Sequence, residues 1–135
     1  MAGGAGMARF SIHDWAEVFR VLKQILEEFL LIKGVTAAAL VGRDGFVIEM
    51  AGTSPVDIDF LGAFGSCSVR FFDFDEYSRD LGPFRQLSIK FGEGTVIFTP
   101  ITSEEFLAII SDSPTGIGRI LRDIERKCKR IAAAI

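Results

Sequence analysis

Residues 34–52 read GVTAAALVGRDGFVIEMAG, and the fold turns on how this stretch is read. Two apolar runs flank Arg43-Asp44-Gly45. The first, Ala37 to Val41, shows none of the polar alternation that a half-wet strand carries, so it reads as a central strand buried on both faces. Its alanines leave room for a helix to approach closely. Asp44-Gly45 is a strong hairpin signal and predicts a type I′ turn, because both central positions of that turn need positive φ. In the second run Glu49 is the sole charge.

Upstream, Asp14 with Glu17 resembles a capping box. Trp15, Val18, Phe19, Leu22, Ile25, Leu26 and Phe29 then recur at helical spacing, with Glu17, Arg20, Lys23, Glu27 and Glu28 opposite and Gly34 as the stop. Downstream, TSPVDID has the composition of a helix start in which Asp57 or Asp59 caps. The following helix carries Gly62, Gly65, Ser66, Cys67 and Ser68. At about 1 kcal/mol per glycine against alanine, these make sense only where its backbone lies close against something. A break near Asp73 fits the pattern, and Leu81-Gly82-Pro83 ends the segment.

Phe84 to Phe91 alternates, with Leu87, Ile89 and Phe91 on one face and Gln86, Ser88 and Lys90 on the other, as suits a sheet edge or its neighbour. A fourth strand over Thr95 to Ile101 and a wholly apolar fifth over Phe106 to Ser111 follow. A last helix carries Ile117, Ile120, Leu121, Ile124, Cys128 and Ile131, behind a Ser113-Pro114-Thr115 start. The reading is an α+β protein: one α/β/α layered domain, order α-β-β-α-β-β-β-α, with a five-stranded, mainly antiparallel sheet and helices on both faces. Residues 1–12 read as a flexible leader and 13–135 as the domain.

The chain of 135 residues, 49% apolar and 24% charged, is globular in composition and long enough for one core. No uncharged run is long enough to span a bilayer, and the start lacks a secretory h-region. Cys67 and Cys128, far apart and without CxxC spacing, read as free thiols in a reducing cytoplasm. The net charge of −3 is unevenly spread: Asp44 to Asp80 holds eight acidic and two basic residues, whereas Thr115 onward holds six basic and two acidic. The simplest reading of the basic end is a solvated helix face, so neither nucleic acid nor membrane is expected as a partner.

Chemistry is sparse. The lone histidine, His13, has no partners for a triad or a metal site. No phosphate-loop motif occurs, and Thr115-Gly116-Ile117-Gly118-Arg119 reads as a helix start rather than a phosphate cradle. Asp73, Asp75 and Glu76 lack the glycine and closing glutamate of a calcium loop. No catalytic, cofactor-binding or metal-binding residue is assigned.

Gly34-Val35, the alanines to Val41, Arg43-Asp44-Gly45-Phe46-Val47-Ile48, Glu93-Gly94-Thr95-Val96-Ile97, Pro100-Ile101, Phe106 to Ile110 and Gly116-Ile117-Gly118-Arg119 follow one another in an order that resembles the roadblock/dynein-light-chain domain family. The resemblance covers about residues 14 to 131. It implies a small regulatory or scaffold subunit, not an enzyme, that forms homodimers or heterodimers with another roadblock chain. The strand after the middle helix would join two sheets into one, and the two middle helices would lie side by side.

On that footing Phe84, Gln86, Leu87, Ser88, Lys90, Gly62, Gly65, Ser66 and Ser68 are the expected dimer interface. Arg70, Phe71, Phe74 and Tyr77 are the expected partner-binding residues. Bacterial and archaeal members are similar to partners of a small Ras-like GTPase. The leading expectation is therefore a cytoplasmic, prokaryotic dimer that binds such a GTPase and modulates its nucleotide cycle, with Arg70 and Arg79 as the candidates if it supplies an arginine. A light-chain-type assembly subunit without effect on hydrolysis is the alternative, and a small-ligand sensor comes after it.

Overall fold

The structure is a computed structural model that describes residues 12–73, 76–112 and 117–135. In chain order the elements are α1 (Ile12–Phe29), β1 (Val35–Gly42), β2 (Val47–Gly52), α2 (Ile58–Asp73), α3 (Glu76–Leu81), β3 (Leu87–Phe91), β4 (Gly94–Pro100), β5 (Glu105–Ser111) and α4 (Ile117–Ala134). The strands form one five-stranded sheet in the order β2-β1-β5-β4-β3, with every neighbouring pair antiparallel. The apolar strands β1 and β5 lie inside it and the half-polar β3 at an edge, as their patterning predicts.

Successive residues point to opposite faces of a strand, and the two cores divide accordingly. Ala38, Leu40, Ile97, Leu107 and Ile109 face α1 and α4, meeting Leu22, Leu26, Phe29, Ile120 and Ile131. Ala37, Ala39, Val41, Val96, Phe98, Phe106, Ala108 and Ile110 face the other way, toward Leu61 and Val69 of α2. Two helices thus cover one face and one long helix covers part of the other.

Several local details differ from the sequence reading. The β1–β2 turn is not type I′: Gly45 has φ 94° but no non-glycine residue takes positive φ among the described residues. Instead the Phe46 amide donates to Asp44 Oδ1 at 3.1 Å, and the Gly42 amide donates to the Phe46 carbonyl oxygen. A side-chain acceptor thus closes a slightly longer loop, so only one residue needs the left-handed region. Helix α1 is described from Ile12, ahead of Asp14, so Asp14 lies within the helix rather than capping it, and Glu17 pairs with Arg20. His13 lies inside α1 rather than ahead of it, and so does Ile12, assigned above to the leader. Residues 1–11 and the expected Ser113-Pro114-Thr115 helix start lie outside the described residues. Helix α4 is described from Ile117. Strand β3 starts at Leu87, so Phe84 and Gln86 precede it.

Asp57 caps α2 as expected: its carboxylate accepts from the Asp59 amide at 3.0 Å and its carbonyl oxygen takes the Leu61 amide. The structure describes α2 as far as Asp73 and α3 from Glu76; the expected break near Asp73 falls on residues 74 and 75, outside the described residues.

Candidate functional site

The small residues of α2 are spent on the chain's own sheet. A Cβ on Gly62 would stand 2.5 Å from the Gly45 carbonyl oxygen, and one on Gly65 would stand 2.7 Å from both the Phe98 and Phe106 rings. The Ser66 hydroxyl donates to the Arg43 carbonyl oxygen. This corrects the expectation that Gly62, Gly65 and Ser66 present a close-approach surface to a second helix, because all three are buried. The spacing signal for close approach was right and its object was wrong. Ser68 is half-buried, and its hydroxyl donates to the Phe64 carbonyl oxygen at 2.9 Å, within the helix.

These contacts press α2 against the half of the sheet nearest the β1–β2 turn. The half toward the β3–β4 turn stays uncovered as a groove of about 670 Å3, its lining including Val56, Phe91, Val96 and Ile110 with Glu93 and Asp112. Along the exposed side of α2, Phe60, Phe64, Cys67 and Phe71 follow one another at i, i+4, i+7 and i+11 and so share a face. Phe60 is 68% exposed, Phe64 41% and Phe71 60%, while Phe91 beside the groove is 57% exposed. Phe64 stays near the sheet through the Phe98 ring, 5.9 Å between centroids. Scattered apolar residues on a surface need no explanation, but a continuous aromatic stripe beside an apolar groove does.

The stripe ends at β3. Phe72 stacks on both Phe71 and Phe84, each pair with centroids 5.2 Å apart. Among the described residues β3 pairs with β4 alone, so its outer backbone groups are open. Leu87 and Ile89 turn toward the α2 face, Ser88 and Lys90 are exposed, and Gln86 is exposed just ahead of the strand. Helix, groove and strand edge therefore make one surface. Of the residues named for partner binding, Arg70 and Phe71 are exposed there. Phe74 and the Tyr77 side chain lie outside the described residues. Phe60, Phe64 and Val56 were not singled out from the sequence, although the 60–64–67–71 spacing was legible, and Phe91 was read only as part of the apolar face of the edge strand.

No group of histidine, cysteine or acidic side chains among the described residues is placed to hold a metal ion, and no described helix is long and apolar enough to cross a membrane. Both cysteines are free.

No protein of curated function matches the chain by sequence. Among solved structures, the gliding protein MglB from Thermus thermophilus superposes with a TM-score of 0.77 at 17% identity, covering 87% of this chain and 90% of that one. Myxococcus xanthus MglB gives 0.74 at 17% identity, covering 85% and 87%. A Roadblock/LC7 domain from Streptomyces avermitilis gives 0.72 at 16% identity, covering 82% and 94%. At these identities the likeness speaks for the fold. The Roadblock/LC7 domain family model matches residues 21–111, from within α1 to the end of β5, and on that match the chain belongs to the Roadblock/LC7 domain family.

Proposed function

We propose that this protein is a non-catalytic, dimeric regulator that binds a small Ras-like GTPase and modulates its nucleotide cycle. The observation that carries the dimer is the single surface formed by the open β3 edge, the groove and the aromatic stripe of α2. A two-fold axis through β3 joins two sheets edge to edge by main-chain hydrogen bonds. It also carries the C-terminal half of each α2 toward the uncovered half of the other copy's sheet. Phe60, Phe64, Phe71 and Phe91 are then withdrawn from water together, at about 25 cal/mol per Å2 of apolar area. Phe84, Gln86, Leu87, Ser88, Lys90 and Ser68 border that contact, and a roadblock heterodimer would use the same face.

Membership of the Roadblock/LC7 family, whose bacterial and archaeal members the sequence resembles, supports the GTPase as partner. On this reading Arg70, Phe71, Phe74 and Tyr77 are its docking residues, and the protein steadies switch loops rather than performing chemistry. Arg70 and Arg79 are the side chains to examine for direct action on the γ-phosphate. The test is capture of Ras-like GTPases from the source organism in their GDP and GTP forms, followed by turnover assays on those bound. Nucleotide-dependent capture with a changed hydrolysis or exchange rate is expected. A dimer that binds no GTPase, or that binds one without altering its cycle, contradicts regulation, and the second outcome favours a light-chain-type assembly role.

A further inference from the structure

The sheet face under α1 and α4 carries a second groove. It lies between α4 and the segment leading into β3, with a volume of about 570 Å3, and Phe84, Pro100, Leu121, Ile124 and Cys128 supply apolar lining. Burial pushes the Cys128 thiol up to about 11, so it is neutral and behaves as part of that apolar wall. Arg85 and Lys129 also line the groove, and Glu125 is the one acid among its lining residues.

The cations around α4 divide by flank. Toward α1 three are neutralised: Arg126 and Lys127 pair with Asp123, and Arg130 grips Glu28 through two bonds of 2.6 and 2.8 Å, while Arg119, near the start of α4, is exposed and makes no ion pair among the described residues. On the groove side they are not. Arg85, Arg122 and Lys129 are exposed and make no ion pair among the described residues, and the same holds for Lys90 on the adjoining face of β3. An apolar trough with unanswered positive charge on its banks is complementary to side chains of alternating apolar and acidic character.

We propose that this groove docks an acidic amphipathic segment of a partner protein. Its apolar side chains would cover Leu121, Ile124 and Cys128, and its carboxylates would meet Arg85 and Lys129. A bilayer presents no protrusions to fill a concave trough, and a phosphate backbone has no apolar side chains to cover Leu121, Ile124 and Cys128. Glu125 in the lining requires the segment's carboxylates to fall beside Arg85 and Lys129. The groove belongs to one protomer and shares Phe84 and Gln86 with the border of the proposed dimer contact. Arg85, Leu121, Ile124, Cys128 and Lys129 lie outside that contact, so variants at Arg85 and Lys129 test the groove separately from the dimer and the GTPase.

The test uses the full-length chain and two fluorescent helical peptides, one built of leucine and glutamate and the other of leucine and lysine, read by anisotropy at two salt concentrations. The acidic peptide is expected to bind, more weakly at higher salt, and the basic one not to bind. Arg85→Glu with Lys129→Glu should weaken binding by about tenfold, whereas Arg126→Glu, on the neutralised flank, should leave it unchanged. Both groove residues are exposed, and the milder Arg85→Gln with Lys129→Gln pair should show the same trend at about threefold. Equal binding of both peptides, no binding of either, no effect of the groove variants, or capture of phosphatidylserine vesicles in place of the acidic peptide would overturn the proposal.

Discussion

Phe72 stacks on Phe84 with ring centroids 5.2 Å apart and planes 16° from parallel. The contact ties the end of α2 to the segment that leads into the edge strand, so helix face and strand edge hold a fixed relation. Phe84→Ala should therefore act twice. It should lower stability by about 2 kcal/mol through lost packing, read from urea unfolding, and it should weaken self-association beyond what that loss explains. Phe84→Leu, which keeps bulk without the ring, should restore most of the stability.

The glycines of α2 and α4 make opposite predictions. Gly65→Ala places a methyl 2.7 Å from two buried rings, and Gly62→Ala places one 2.5 Å from a backbone oxygen. Each should cost about 2 kcal/mol, with Gly62→Ala the worse because a carbonyl cannot rotate away. A Cβ on Gly118 meets nothing within 4 Å, so Gly118→Ala should stabilise by about 0.5 kcal/mol. Thermal midpoints of the three variants decide the order.

Much of this architecture was legible in the chain. The unbroken apolar runs of β1 and β5 placed them inside the sheet, because a strand with no polar face has to be covered twice. The alternation of Leu87, Ile89 and Phe91 placed β3 at the edge. What α2 presses against was not legible, because Gly62 and Gly65 signal close approach without naming the neighbour. Only the fold brings Gly45 and Phe106 beneath them. The same glycines drew attention away from Phe60, Phe64 and Phe71, whose spacing marks the exposed face. The turn at Asp44-Gly45 also escaped a two-residue reading, since Asp44 closes it through its carboxylate rather than through its backbone.

The α1–α4 seam gives a pH signature. Lys127 is buried, 5.2 Å above the Phe29 ring, and its Nζ lies 2.6 Å from Asp123. Burial works to raise the Asp123 carboxyl pKa, but Lys127 and Arg126 more than offset it, and the group ends below the usual range. Hydrogen bonds from Arg130 chiefly lower Glu28 as well. A carboxylate lowered by folding stabilises the protein above its unfolded pKa, near 4. That contribution should fade as pH falls below about 4, through the folded values. Lys127→Met should flatten this acid limb in chemical unfolding measured across pH. At neutral pH it should cost about 2 kcal/mol, because Asp123 loses its buried partner.

The two cysteines should differ in reactivity. Cys67 is exposed on α2, whereas the half-buried Cys128 thiol is pushed up to about 11. At pH 8 the Cys128 thiolate is then roughly one part in a thousand. Iodoacetamide should add its first group at Cys67, located by mass spectrometry and faster under dilution that separates the dimer, because Cys67 shares the face the dimer covers, and a second group only on unfolding.

The mass of the protein in solution, by sedimentation equilibrium, tests the shared edge most directly. The chain weighs 14.8 kDa. A species of twice that mass is expected, falling to one chain mass when Phe60, Phe64 and Phe71 are replaced by serine with the fold retained by circular dichroism. A wild-type protein that stays at one chain mass at every concentration, or a triple variant that still pairs, would contradict the account.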